Sequence, residues 1–293
     1  MALGIGPGDE IITTAFSFAA TAEAVLLLGA RPVYVDIDPV TFNIDANLIE
    51  EKINARTRAI LPVGLYGQCP DFPVMRLVAR QHGLALIEDA AQSFGATQDG
   101  MRSGSLGTIG ATSFFPAKPL GAYGDAGIIT TNNLNFYNKL KKLRNLGSDK
   151  KFIHDEVGLN SRLDTIQAII LNEKLKNLTS YNKKRQKIAK FYNQNINNKK
   201  ISKLKYSKSS VYHQYVVLVD NRNSLIKLLK KNKIQYGFHY PYAIHQLNVF
   251  KKRFKNKRYK NAEILAKNSI SLPIDPNLSK KELNFIVKTL NEF

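Results

Sequence analysis

At residues 113–125 the chain reads Ser113-Phe114-Phe115-Pro116-Ala117-Lys118-Pro119-Leu120-Gly121-Ala122-Tyr123-Gly124-Asp125. One lysine, Lys118, lies between an apolar predicted strand and a run of Pro and Gly, where a backbone can approach a bound ligand closely. A lysine that needs only solvation is expected on a polar helix face, yet lysines in surface turns are also common. The stretch therefore indicates either a ligand-binding lysine or a solvated lysine in a turn.

The segments around this stretch alternate between strand and helix patterns. Short runs rich in Val and Ile predict strands at 10–14, 32–35, 59–63, 84–88, 111–115 and 127–131. Apolar periodicity predicts helices near 21–28, 46–53, 75–82 and 134–145. Strands separated by helices predict an α/β fold with a mainly parallel sheet flanked by helices, and such sheets bind ligands beyond the carboxyl ends of their strands.

Two polar residues follow neighbouring predicted strands. Asp89 comes directly after 84–88, and Lys118 follows 111–115, so both side chains are expected in one crevice. Asp89 either caps a following helix or serves as the counter-ion of a heterocyclic cation. Pyridoxal phosphate is the natural cofactor for such a pair, because a lysine amine binds its aldehyde and a carboxylate keeps its ring nitrogen protonated. Ser113 either donates to a phosphate oxygen or bonds to the backbone.

The second half of the chain predicts a smaller α/β unit. An apolar stripe over 163–178 predicts a long helix that begins at Asn160 or Ser161 and leads the chain out of the first unit. Beyond it, the patterns predict strands at 212–219 and 234–239 and helices at 224–231, 261–268 and 280–290. We therefore expect a large domain over 1–178 and a small C-terminal α/β domain over 179–293.

The composition narrows the class of protein. With 293 residues, 44% of them hydrophobic, the chain is typical of a globular protein, and no apolar run reaches the roughly 20 residues of a transmembrane helix. Its single cysteine, Cys69, excludes an internal disulfide and fits the cytoplasm. The five histidines are scattered without metal-ligand spacing, so we expect no metal.

The net charge of +20 lies entirely in residues 147–293. Such a basic half is compatible with nucleic acid, an anionic membrane surface or an acidic small substrate. Because the lysines form no aromatic-interleaved patch, we expect them to replace other solvated residues, and we expect neither nucleic acid nor membrane as a partner. The densest run, 250–260, holds seven Lys or Arg and predicts a solvated loop or helix.

Several motifs occur in a fixed order along the chain. They are Gly6-Pro7-Gly8-Asp9-Glu10, Phe16-Ser17-Phe18-Ala19-Ala20-Thr21, Glu88-Asp89-Ala90-Ala91-Gln92-Ser93, Gly104-Ser105-Leu106-Gly107, the stretch 113–125, and Gly158-Leu159-Asn160-Ser161-Arg162-Leu163-Asp164. Together they resemble the sugar aminotransferases of the DegT/DnrJ/EryC1/StrS family, which have the aspartate aminotransferase type I fold and use pyridoxal 5′-phosphate. The resemblance covers nearly the whole chain.

The resemblance implies a role for five residues around the predicted crevice. Lys118 resembles the lysine that carries the cofactor, and Asp89 resembles the partner of its ring nitrogen. Phe18 matches the aromatic residue that stacks on the ring. Gln92 resembles the residue beside the ring hydroxyl, and Ser113 matches a ligand of the cofactor phosphate.

By the same family resemblance, Asn160 resembles an asparagine that reaches the phosphate of the partner subunit's cofactor, which implies a homodimer. A finer match is to the subgroup that aminates UDP-2-acetamido-2-deoxy-3-oxo-glucuronate; it rests on the motifs 118–121, 123–125, 160–165 and Phe238-His239-Tyr240-Pro241. The guanidinium fork of Arg162 suits a sugar carboxylate, although Arg162 could instead pair with Asp164 or another nearby acid. His239 and Tyr240 are expected to contact the sugar or its diphosphate.

The resemblance implies transfer of an amino group from L-glutamate to a keto nucleotide sugar, with ping-pong kinetics, for a surface polysaccharide such as O-antigen. Another 3- or 4-keto nucleotide sugar is the alternative substrate. Related dehydratases have histidine in place of the lysine, and Lys118 argues against that reaction.

Family members also have an N-terminal segment whose Gly-Thr turn opens a helix and holds the cofactor phosphate. Met1-Ala2-Leu3-Gly4 reads like the last turn of that helix. We therefore expect this chain to bind the cofactor more weakly than a longer relative, and a non-catalytic remnant is the alternative.

Overall fold

The computed structural model describes residues 1–251, 254 and 257–293. Its strands are β1 (Glu10–Thr14), β2 (Arg31–Val35), β3 (Thr57–Leu61), β4 (Ala85–Asp89), β5 (Thr97–Gln98), β6 (Met101–Arg102), β7 (Ile109–Ser113), β8 (Gly127–Thr130), β9 (Ile201–Lys203), β10 (Tyr215–Val219) and β11 (Ser269–Leu272). Its helices are α1 (Ala20–Leu27), α2 (Phe72–Gln81), α3 (Leu134–Leu143), α4 (Thr165–Asn195), α5 (Arg222–Lys231), α6 (Asn248–Lys251), α7 (Lys260–Asn268) and α8 (Lys280–Asn291). Among the residues described, no helix has both the length and the apolar character needed to cross a membrane.

Six strands form one sheet in the order β2-β1-β3-β4-β7-β8. The first five pair in parallel, and β8 runs antiparallel to β7 at the edge. All five residues of β1 are buried, because a central parallel strand is covered on both faces. In the register of β4 and β7, Asp89 lies opposite Ala111, so the residues that follow these two strands emerge side by side. The predicted mainly parallel α/β sheet is thus confirmed.

A second sheet, antiparallel and in the order β11-β10-β9, lies in the C-terminal part of the chain. Its core packs Tyr215 and Val217 of β10 against Tyr192 of α4 and Leu290 of α8. The first half of α4 packs instead on the loop after β7, through Leu171 and Leu178. The long helix therefore contributes to both hydrophobic cores.

Two predicted helices differ from the structure. Residues 46–53 form two short 3-10 turns, the first capped by the Asp45 side chain, rather than one α-helix. The long helix begins at Thr165 rather than at 160 or 161. The amide of Ser161 donates to the carbonyl of Arg144 at 2.9 Å, and this bond holds the chain before the helix in an extended conformation.

The strand predicted at 234–239 is reduced to a single bridge between Gly237 and Ser271. Beyond Gly237 the chain leaves the sheet, and the carbonyl of His239 accepts a hydrogen bond from the Tyr66 hydroxyl. The prediction of a solvated loop or helix at 250–260 falls partly outside the described residues; α6 ends at Lys251.

One carboxylate joins the first sheet to α7. Asp36, which follows β2, accepts hydrogen bonds from the backbone N–H groups of Asn261 and Ala262 at 3.0 and 2.9 Å. It thereby caps a helix 225 residues further along the chain. Beside it, the ring of Tyr34 packs on those of Phe254 and Tyr259. This joint fixes the C-terminal residues relative to the edge of the large sheet.

Replacing Asp36 by alanine leaves the first amides of α7 without acceptors, and we expect the free energy of unfolding to fall by about 1–3 kcal/mol. Urea unfolding followed by circular dichroism measures the change. Asp149→Ala, a change at an exposed side chain, is the control and is expected to cost less than about 0.5 kcal/mol. Equal losses in the two variants would contradict a stabilising role for this joint.

Candidate active site

A tightly closed loop presents Lys118 at the end of β7. The Lys118 amide donates to the carbonyl of Phe115 at 2.8 Å. A Cβ atom at Gly121 would lie 2.3 Å from the carbonyl oxygen of Pro116, so only glycine fits where the loop returns. The ammonium group of Lys174 on α4 donates to the Gly121 carbonyl at 2.6 Å and anchors the loop from outside.

Asp89 is the last residue of β4 and Lys118 lies in the loop after β7, near enough for each charge to shift the pKa of the other. Burial raises the pKa of Asp89, whereas hydrogen bonds from the Ala91 amide and the Thr21 hydroxyl, and the charge of Lys118, lower it. Burial likewise lowers the pKa of the Lys118 amine, against the charge of Asp89. Residues 91–95 form turns rather than a helix, so Asp89 does not cap a helix. The structure thus brings together the two residues that the sequence places in one crevice.

Gln92 orients an aromatic residue at this site. Its side-chain carbonyl accepts from the Tyr66 amide at 2.9 Å, and its amide nitrogen donates to the Tyr240 hydroxyl at 3.0 Å. The Tyr240 ring lies 5.7 Å from that of Phe18, which is 58% exposed. The Tyr240 hydroxyl is near enough to Asp89 for that carboxylate to help raise its pKa, after burial, to about 12. Gln92, Phe18 and Tyr240 therefore belong to the same site as Asp89.

Two histidines complete the surroundings of Lys118. His239 Nδ1 lies 2.7 Å from the Ser271 hydroxyl, and burial and the Lys118 charge lower its pKa. Burial, Lys118 and His239 lower the pKa of His213 to about 3. Both rings are therefore neutral at pH 7. His239 was expected here, whereas His213 was missed, because the strand pattern that includes it gives no sign of a polar neighbour.

Ser113 ends β7 close to the lysine loop. Its hydroxyl oxygen accepts a hydrogen bond from the Phe115 amide at 3.2 Å. This is the backbone bond that the sequence left open as an alternative. The hydroxyl hydrogen stays available to a ligand, because a serine oxygen can donate and accept at once.

Asn160 and Arg162 lie elsewhere on the chain. Both are exposed, and Arg162 Nε donates to Asn160 Oδ1 at 2.9 Å. They line a cavity of about 1150 Å³ beside β8 and α3, together with Arg102, Lys141 and Arg144. Among the contacts that the structure describes, neither residue touches Lys118 or Asp89, and Arg162 has no ion pair with Asp164. The structure therefore does not bring these two residues to the lysine of their own chain.

A buried carboxylate behind the site was also missed. Glu88, beside Asp89 on β4, accepts hydrogen bonds from the Ser103 hydroxyl at 2.7 Å and from the amides of Gly104 and Leu106 at 2.8 and 2.9 Å. These donors hold the loop between β6 and β7 against β4. The signals in the sequence were the position of Glu88 inside an apolar strand and its place at the start of the motif 88–93, in which no role was assigned to it.

Known aminotransferases are similar to this chain along nearly its whole length. Residues 1–291 match the model of the DegT/DnrJ/EryC1/StrS aminotransferase family. The UDP-2-acetamido-2-deoxy-3-oxo-D-glucuronate aminotransferase of Pseudomonas aeruginosa is 44% identical over 292 residues, which cover 99% of this chain and 81% of that protein. The dTDP-3-amino-3,6-dideoxy-alpha-D-galactopyranose transaminase of Aneurinibacillus thermoaerophilus is 40% identical and covers 100% of this chain and 81% of its own length.

Solved structures give the same result. A DegT DnrJ EryC1 StrS aminotransferase from Brucella abortus aligns with a TM-score of 0.95 at 34% identity, covering 100% of this chain and 81% of that one. NtdA from Bacillus subtilis, with bound cofactor PMP, aligns with a TM-score of 0.93 at 33% identity, covering 99% of this chain and 69% of that one.

Asp89→Asn is expected to lower the pKa of Lys118 further, by about one unit, because the neutral amide removes the charge that favours the ammonium form. The pH profile of Lys118 modification by an amine-reactive reagent, read by mass spectrometry on the ligand-free chain, measures this pKa. Asp125→Asn is the matched control, since Asp125 is exposed and lines the other cavity. A Lys118 profile that Asp89→Asn leaves unchanged would show that the two charges do not interact.

Proposed function

We propose, from the premise that this chain belongs to the DegT/DnrJ/EryC1/StrS aminotransferase family, that it moves an amino group from L-glutamate to the keto carbon of UDP-2-acetamido-2-deoxy-3-oxo-D-glucuronate. The chain is a pyridoxal 5′-phosphate-dependent aminotransferase of nucleotide sugars. The observation that supports the proposal is the partly buried Lys118 amine, which lies near enough to the Asp89 carboxylate for each charge to shift the pKa of the other. The choice of sugar rests on the 44% identity to the Pseudomonas aeruginosa enzyme and on Arg162.

The donor set at the site fits the cofactor. Asp89 is a carboxylate with one hydrogen-bond donor on each oxygen, and a cationic ring nitrogen would complete its partners. Lys118 would hold the cofactor's aldehyde carbon, Phe18 its ring face, Gln92 the side of its ring hydroxyl, and Ser113 its phosphate. When bound, the cofactor supplies an electron sink that allows a proton to leave the carbon next to nitrogen.

Lys118 would then act as the proton carrier. Burial lowers the pKa of its amine, so a larger fraction is neutral near pH 7 and able to accept a proton at Nζ. His213 and His239 stay neutral beside it and do not add competing positive charge. Asp89 supplies the fixed negative charge that stabilises positive charge on the cofactor ring. Because each half-reaction would release its product before the next begins, ping-pong kinetics are expected.

A second copy of the chain would complete the substrate site. Ile129 on β8 lines the cavity that holds Asn160 and Arg162, and Ile166 and Ile169 lie in the first turns of α4; each of the three is more than half exposed. Exposed apolar side chains of this kind are typical of a protein interface. In the proposed homodimer the partner covers these side chains, Asn160 reaches the partner's cofactor phosphate, and Arg162 binds the sugar carboxylate.

His239 and Tyr240 are the proposed sugar or diphosphate contacts from the same chain as Lys118. Their backbone and side chains are held by Tyr66, Ser271 and Gln92, so they would meet the substrate with little loss of side-chain entropy. The proposed large domain, 1–178, contains the six-stranded sheet and the β5-β6 pair, the proposed small domain, 179–293, contains the three-stranded sheet, and α4 spans the boundary between them.

Another keto nucleotide sugar is the second candidate substrate. It is favoured by the 40% identity to a relative named for a dTDP sugar. The two candidates differ in charge on the sugar itself, since only the glucuronate carries a carboxylate for Arg162. In either case we propose a cytoplasmic enzyme, consistent with its one partly buried cysteine, Cys69. Its product would serve a surface polysaccharide such as O-antigen.

Lys118→Ala is expected to abolish the absorbance change that accompanies titration with pyridoxal phosphate and to lower turnover at least about 10³-fold, because the attacking amine and proton carrier are both lost. Absorbance spectra and transfer of labelled nitrogen from glutamate measure the two effects. Lys176→Ala, at an exposed lysine that pairs only with Glu173 among the described residues, should behave as the parent chain. Retention of the absorbance change in Lys118→Ala would exclude Lys118 as the cofactor-binding residue.

Arg162→Ala is expected to raise KM for the 3-keto glucuronate about 10–100-fold, while Arg162→Lys recovers part of the loss. A neutral 3-keto sugar nucleotide is the matched substrate, and its KM should change less than about threefold. Similar changes for both substrates would contradict recognition of a carboxylate by Arg162.

Mixing the Lys118→Ala and Arg162→Ala chains tests whether the site is shared. If Arg162 acts in the partner subunit, the mixed dimer contains one site with both residues intact, and glucuronate turnover recovers. Absence of recovery in a mixture shown to exchange subunits would place both residues in the same chain's site.

A further inference from the structure

A chain of buried hydroxyl groups leads to Asp89 from the first turn of α1. The Thr21 hydroxyl donates to Asp89 Oδ2 at 2.8 Å, and the Ser17 hydroxyl lies 3.2 Å from the Thr21 hydroxyl oxygen. Ser17 and Thr21 are 3% and 6% exposed. Both residues lie in a motif that resembles the family, but the sequence assigned a role only to Phe18 within it.

The direction of these hydrogen bonds follows from the chemistry of the groups. An ionised carboxylate only accepts, so the single hydroxyl hydrogen of Thr21 must point to Asp89. The Thr21 oxygen is then an acceptor towards Ser17, and Ser17 must donate to it. Each proton in the chain therefore favours the charged form of Asp89 over its neutral form.

We propose that Thr21 is a positioning residue for Asp89: its hydroxyl, aligned by Ser17, holds the carboxylate ionised and turned towards Lys118. The proposal rests on the role of Asp89 under the proposed function, since that role requires a negative carboxylate. The other donor, the Ala91 amide at 3.1 Å on Oδ1, belongs to the turn after β4 and cannot be removed by a side-chain change. Thr21 is thus the side chain through which the protein adjusts this carboxylate.

Other charged and titratable groups also face Asp89 and remain in place when Thr21 is changed. They are Lys118 after β7 and Tyr240 from the C-terminal half, with His213 and His239 near Lys118; Glu88, next to Asp89 on β4, points to the other face of the sheet but is still affected by the Asp89 charge. Burial opposes ionisation of Asp89, and Lys118, Ala91 and Thr21 favour it. Loss of the Thr21 donor therefore moves the pKa of Asp89 upward.

Thr21→Val replaces the hydroxyl by a methyl group of similar volume, and Thr21→Ser keeps the hydroxyl. In the ligand-free chain labelled with ¹³C at aspartate Cγ, the Asp89 signal is assigned by its disappearance in Asp89→Asn. We expect its titration midpoint to rise by about one pH unit in Thr21→Val and to stay within about 0.3 units of the parent in Thr21→Ser. Ser17→Ala, which leaves the donor but loosens its alignment, is expected to give a smaller rise.

The midpoint separates positioning from a merely structural role, since a packing defect would lower stability without moving the Asp89 titration. An unchanged midpoint in Thr21→Val, with the circular dichroism spectrum of the parent, would overturn the proposal. If Thr21→Val does not fold, an unchanged midpoint in Ser17→Ala would overturn it equally. The measurement needs no cofactor, so it stands even if the proposed reaction fails. Titration with pyridoxal phosphate then shows whether Thr21→Val also binds the cofactor more weakly, about tenfold at pH 7.

Discussion

The structure depends most on one constraint: the Asp89 carboxylate and the Lys118 amine lie near each other in a partly buried site. Removing either charge from water costs free energy, and the partner charge returns it only when the geometry is fixed. The parallel register of β4 and β7 fixes one end of that geometry, because it places Asp89 beside Ala111. The close approach of Gly121 to the Pro116 carbonyl fixes the other end, because it closes the loop that carries Lys118.

The two neighbouring carboxylates on β4 have different hydrogen-bond partners because of the pleat of the strand. Successive side chains of a strand point to opposite faces, so Glu88 and Asp89 meet different surroundings. Glu88 is saturated by three donors from the loop between β6 and β7 and serves the scaffold. Asp89 keeps fewer protein donors and faces Lys118. Asp89 can therefore accept a further hydrogen bond or ion pair, at the place where a cationic ligand would fit.

Sequence patterns were sufficient for the local elements and for the edge of the sheet where the site lies. The alternation of Val- and Ile-rich runs with helices predicts the parallel sheet, and strand ends predict that Asp89 and Lys118 meet. Patterns of this kind carry no information on partners that are distant along the chain. Thr21 bonds to Asp89 across 68 residues of sequence, and the His239 carbonyl bonds to Tyr66 across 173 residues. Such bonds depend on how the elements pack, and a single sequence shows neither the packing nor the hydrogen bonds.

Arg162 and Lys118 lie on separate parts of the fold. Under the proposed function, the reacting groups are Asp89 at the end of β4 and Lys118 after β7, where a displacement would disturb two partly buried charges. Arg162 lies on an exposed segment between the β-bridge at Asn160 and the start of α4, and it bonds only to Asn160 among the described residues. A side chain there can change at little cost to folding. Relatives named for UDP and dTDP sugars share 40–44% identity with this chain over nearly its whole length. Under the proposed function, substrate choice would therefore depend on exposed residues such as Arg162, whose replacement leaves the two partly buried charges in place.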